Sequence, residues 1–87
     1  NNQKQRRKWK ELDFKTQAGI RCNEEAFQRF LAEQFEEDPK RFDAADFVRY
    51  YCGVSSRSKI TSDEFSGERW RYLEQQYQSW LREAEVV

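Results

Sequence analysis

The chain has no histidine and no methionine, only two cysteines, one proline and three scattered glycines. Each shortage removes a class of function. Without histidine, Cys22, Cys52, Ser55 and Ser56 have no imidazole base, so the usual nucleophile–base pairs cannot be built. A structural zinc site needs four nitrogen or sulfur ligands, and two cysteines do not supply them. The acidic stretch EEDPKRFDAAD, Glu36 to Asp46, lacks the alternating oxygen ligands and central glycine of a calcium loop. Gly19, Gly53 and Gly67 stand apart, so no glycine-rich phosphate loop exists. Two cysteines outside a CxxC pair do not make a secreted disulfide scaffold, which predicts reduced thiols in a cytoplasmic protein. No apolar run approaches the ~20 residues of a membrane span, and the N-terminus lacks the apolar core of a signal peptide. The missing initiator methionine suggests a fragment or trimmed chain of a longer protein. No enzyme activity, cofactor, metal or membrane association is expected.

What remains is aromatic and charged. Eighty-seven residues make one domain at most. A chain of that size buries roughly 60–65% of its unfolded surface, enough for a modest core. Three Trp, four Tyr and seven Phe must supply much of it, because aromatics bury the most area per side chain. Lys and Arg number 16, balanced by 16 Asp and Glu, which excludes a strongly basic nucleic-acid protein. The balance is uneven along the chain. Residues 1–22 carry seven basic and two acidic side chains, and residues 23–48 carry three and eight. A basic arm or linker over 1–15 is therefore expected to lead into a helical domain over 16–87.

The periodicity is helical throughout, and no strand-like alternation persists. Thr16 reads as the cap of a short helix from Gln17 to Cys22, with Ala18, Ile20 and Cys22 turned inward. Asn23 reads as the cap of the next helix, from Glu24 to about Phe35, with Glu25 and Arg29 paired on its outside. Asp38-Pro39 marks a turn. Around FDAADFVRYYCGVSSR the signals are densest. Asp43 caps, Phe42 and Phe47 have staple spacing, and Gly53 sits where a helix ends. Ser55 or Ser56 starts a short turn through Ile60. Thr61 and Glu64 have capping-box spacing ahead of a last helix from about Ser62 to Ala84. There Trp70, Leu73, Tyr77, Trp80 and Ala84 recur at steps of three and four. Gly67 marks a close contact or a later start near Ser66. These elements predict an all-α fold, a small bundle of four to five short helices.

Binding remains the readable function. Lys4, Arg6, Arg7, Lys8 and Lys10 surround Trp9, so cations could neutralise phosphates while an indole stacks on an unpaired base. The competing reading packs Trp9 on the core. Arg57 is a further candidate for phosphate; with Lys59, Arg69 and Arg71 it either forms a second small patch beside Trp70, or these arginine stems cover aromatics at the surface. Tyr50, Trp70 and Tyr72 are candidate anchors for a protein partner.

Three segments, QAGIRCNEEAFQRFL (Gln17 to Leu31), VRYYCGVSSRSKI (Val48 to Ile60) and the W-x2-L-x3-Y-x2-W ending (Trp70 to Trp80), resemble a group of small proteins encoded by tailed phages and prophages. The resemblance spans residues ~16–82 by pattern and carries no motif of known chemistry. It implies phage origin, a cytoplasmic setting in the host cell, and company with replication and recombination functions. The expected function is a non-catalytic accessory module of a phage DNA-metabolism protein that holds single-stranded nucleic acid weakly. The alternatives are an interaction module that engages a replication or host-defence protein, and a structural C-terminal domain.

Overall fold

The computed structural model describes residues 8–38 and 40–86. Lys4, Arg6 and Arg7 of the expected arm, and Pro39 of the expected turn, lie outside the described residues. The described chain is all-α: a 3-10 turn at Trp9–Glu11, α1 (Phe14–Cys22), α2 (Glu25–Gln34), α3 (Ala44–Cys52), a 3-10 turn at Arg57–Lys59, and α4 (Phe65–Val86).

Helix α1 starts earlier than its sequence suggests. Asp13, not Thr16, is the cap, and its carboxylate accepts the Thr16 amide at 3.1 Å. The boundary expected between residues 15 and 16 therefore falls inside a helix. Gln17, Ala18 and Cys22 are buried, while Ile20 is 42% exposed. The expected inward set fails at Ile20 because side chains two apart on a helix diverge by about 200°. Asn23 does not cap α2; it closes α1, its amide donating to Ile20 O at 3.1 Å. Glu24 holds the cap position of α2 without a side-chain capping bond. Its carboxylate is committed to Arg21 and Tyr77.

Helix α2 buries Phe27, Phe30, Leu31 and Ala32. The expected Glu25–Arg29 pair is present at 3.9 Å, where exposure keeps its contribution small. Glu36 ends the helix at φ +57°, and the Glu37 amide returns to Ala32 O at 2.9 Å.

Helix α3 forms as its local signals require. The Asp43 carboxylate accepts the amides of Ala45 and Asp46 at 2.9 and 3.3 Å. Phe42 and Phe47 meet at 5.7 Å between ring centroids. The Asp46 side chain pairs with Arg49. Ala44, Val48 and Cys52 turn inward. Gly53 takes φ +74°, and Val54 donates back to Arg49 O at 3.0 Å, a Schellman ending. Ser56 then accepts the Ser58 amide at 3.2 Å and starts the second 3-10 turn.

Helix α4 begins at Phe65, later than Ser62. At its entry the Ser66 hydroxyl accepts the Thr61 amide at 3.2 Å and reaches Lys59 O at 3.4 Å. Gly67 lies against the backbone of the preceding loop, so the close contact and the later start both hold. A Cβ at Gly67 would stand 2.8 Å from Ser62 Cα and 2.9 Å from the Thr61 carbonyl carbon, and nearer still to the Thr61 oxygen.

Phe27 sits at the core's centre, its ring 5.9 Å from Phe30, 6.0 Å from Trp70 and 5.0 Å from Tyr77. A polar ladder runs beside these rings. The Trp70 indole donates to Gln17 Oε1 at 2.9 Å, Arg21 grips Glu74 at 2.6 and 2.9 Å, and the Tyr77 hydroxyl donates to Glu24 at 3.0 Å. Each rung joins residues 53 apart, so α1 and its exit advance along α4 in the same direction. Among the described residues, no helix is long and apolar enough to cross a membrane, and no group of acidic, cysteine or histidine side chains is placed to hold a metal.

Candidate nucleic-acid interface

Two adjoining clefts collect the basic residues. The first, 540 Å³, lies between the segment entering α1 and the loop entering α4. Lys10, Lys15 and Phe14 line it with Asp13 and Asp63. The second, 370 Å³, lies where α1, the end of α3 and the second 3-10 turn meet. Lys15, Arg49 and Arg57 line that cleft with Ser55, Ser56, Ser58 and Gly19. Lys15 and Ser58 belong to both, so the two clefts share a wall.

Local structure explains the convergence. Lys15 and Gly19 are one turn apart on α1 and face the same way. Arg49 occupies the last turn of α3, where a cation complements the negative helix end. The Schellman ending and the Ser56 cap then reverse the chain and return Arg57 beside it. Arg57 stands against the Cys22 thiol. Burial pushes that thiol's pKa up, and Arg57 partly counters the shift by hydrogen bonding and charge.

Of the expected site residues, Lys10 and Arg57 lie on these clefts, and Lys8 is exposed. Trp9 is half-buried. The Arg21 guanidinium lies 3.9 Å over its ring, and its carbonyl accepts Gln17 Nε2 at 3.0 Å. The ring thus rests on Arg21 beside the polar ladder. Lys15 and Arg49 were not singled out in the sequence. Arg49 sits in a helix pattern that explains it locally, and Lys15 has no neighbouring basic residue to draw attention. Only the tertiary contact of α1 with the turn after Gly53 gathers them.

Arg69 and Arg71 are committed elsewhere. Arg69 donates to Tyr51 O at 2.9 Å and lies 3.7 Å over its ring. Arg71 donates to Ser62 O at 3.0 Å and lies 5.2 Å over Phe14.

Trp70 as an interface anchor is corrected. It is 0% exposed, because the 70–73–77 stripe faces Phe27 and Gln17. Tyr50 is 81% exposed, and Tyr72 is half-exposed beside a shallow 200 Å³ hollow between α2, α3 and α4.

Burying ionisable groups makes folding sensitive to alkali. Burial pushes the Cys52 thiol from 9.0 up to about 11, with the Arg69 charge opposing. Burial, followed by the bond to Glu24, pushes the Tyr77 hydroxyl from 10.0 up to about 12. Below about pH 8, a unit under the unfolded Cys52 value, both groups are protonated folded and unfolded, and their contribution is intact. As pH rises, the unfolded chain releases these protons first, so stability falls progressively toward about pH 12. Denaturant midpoints should therefore drop between pH 8 and 11, and both thiols should resist alkylation at neutral pH until the chain unfolds. An unchanged midpoint up to pH 11 would contradict this account.

Fold and site together define a small all-α module whose adjoining clefts gather basic residues. Compared with family models, curated proteins and solved structures, the chain shows no match.

Proposed function

We propose that this domain binds the phosphate backbone of single-stranded nucleic acid, as a non-catalytic accessory module of a phage DNA-metabolism protein. One observation carries the reading: Lys10, Lys15, Arg49 and Arg57, from four separate segments, line adjoining clefts on a chain with no net charge. A neutral protein that gathers cations in a cleft offers an anion a local site which its total charge does not reveal. The phage setting rests on the resemblance of residues ~16–82.

Four phosphate contacts to a single strand correspond to a log–log salt slope of about −3. Binding of an oligonucleotide of about twelve nucleotides, read by fluorescence anisotropy, should weaken about 50-fold between about 50 and 200 mM salt. Replacing Lys15 and Arg57 together by alanine should halve the slope. No binding at low salt, or binding indifferent to both replacements, would sink the proposal.

The exposure of Tyr50, with Phe47 6.5 Å away between ring centroids, favours a second reading. Here the domain is an interaction module, an adaptor or an inhibitor of a host system, anchored by an aromatic patch. Its mark is capture of a protein partner that survives nuclease treatment and is lost in Tyr50→Ala.

A further inference from the structure

The two clefts differ in charge. In the first, Lys10 and Lys15 share the wall with Asp13 and Asp63. The second has three cations and no acidic residue in its wall. Outside the wall, Asp46 pairs with Arg49, and Asp43 acts with Arg57 on the Cys22 thiol. A wall of cations with no carboxylate of its own suits a phosphomonoester (about −1.5 to −2 at neutral pH) better than the single charge of a diester. The donors match as well. Arg57 offers a planar fork and Lys15 a mobile ammonium, both suited to a group with three terminal oxygens. The serine hydroxyls of the 55–58 segment add neutral donors on the same wall.

We propose that the Lys15–Arg49–Arg57 cleft is an end-recognition site, which takes the terminal phosphomonoester of a single strand whose following phosphodiesters run along the first cleft. This rests on the nucleic-acid reading above and adds a preference that reading does not require.

Gly19 gives the means to test it. A Cβ there meets nothing within 4 Å, so a side chain can be added without displacing the protein. Gly19→Glu would place a carboxylate among the three cations and occupy the site internally. Three probes of one sequence, about twelve nucleotides long, suffice. One carries a 5′-phosphate, one a 3′-phosphate, and one a hydroxyl at both ends. Wild-type protein should bind one phosphorylated probe about tenfold more tightly than the hydroxyl-ended probe, as one added charge-assisted contact implies. Gly19→Glu should abolish that preference while the thermal midpoint holds. Arg57→Ala should reduce the preference, and Lys10→Ala should weaken all three probes alike and preserve it.

Equal binding of the three probes would overturn the end-recognition site and leave backbone binding standing. A preference that persists in Gly19→Glu would place its source elsewhere and also overturn the site. No binding of any probe would overturn both proposals.

Discussion

Trp70→Ala is expected to remove about 3–5 kcal/mol of stability, the usual cost of truncating a fully buried large aromatic. The residue is 0% exposed and packs on Phe27, so the cavity would open at the centre of the core. Against a total of about 5–15 kcal/mol for a domain, that is a large share. The thermal midpoint should fall by more than about 12 °C. Trp70→Phe separates two causes. It keeps most of the ring but removes the indole donor, leaving Gln17 Oε1 buried without its partner, at about 1–3 kcal/mol. Adding Gln17→Leu should not restore the loss, because Gln17 Nε2 also serves the carbonyls of Trp9 and Leu12. Denaturant titration of the three variants checks this. A Trp70→Ala protein within about 1 kcal/mol of wild type would contradict the burial described.

Gly67→Ala should rank second. In most helix interiors this change is favourable by roughly 0.5–1 kcal/mol. Here the added methyl meets the Thr61 and Ser62 backbone, which cannot rotate aside as a side chain could. Overpacking of this kind costs about 3 kcal/mol, or roughly 12–24 °C in midpoint for a domain of this size. The internal control is Gly19→Ala, also in a helix but facing open space, which should raise the midpoint by a few degrees. Both variants moving the same way would mean that helix propensity, not contact with the loop, governs Gly67.

These two sites also show what the sequence could and could not disclose. Helix α3 was legible because its determinants are local: Asp43, Phe42 with Phe47, and Gly53 lie within twelve residues. Gly67 was legible as one of two possibilities, since a glycine in a helix pattern indicates either an approach or a boundary. The Asp13 cap was hidden by Thr16, an equally good capping residue three positions on. Gln17 gave no sign of its importance, because its partner Trp70 is 53 residues away and glutamine is ordinarily a surface residue. Fourteen aromatics on a small body suggest that some, Trp70 among them, are left for a partner, yet the core needs Trp70. The basic cleft was the least legible feature. Its residues come from three elements whose meeting depends on how α1 packs against the chain after Gly53.

The constant offset along the ladder has a further consequence. An apolar stripe repeating at three and four residues is nearly self-similar, so a slide of α4 by one turn, about 5.4 Å, would still set rings against rings. The polar rungs forbid it. A slide one way sets Arg21 opposite Trp70, and the other way opposite Gln78. Both strip Glu74 from a guanidinium whose side chain is 12% exposed. Burial alone would lower the Arg21 pKa, and it is the bonds and charges of Glu74 and Glu24 that raise it. Arg21 would keep Glu24 at 3.1 Å, so the loss falls short of the about 3–5 kcal/mol of an unpaired buried charge but remains a large share of a small domain's margin. The rungs thus act as an index mark: they add modestly to the depth of the native minimum while removing its nearest competitors.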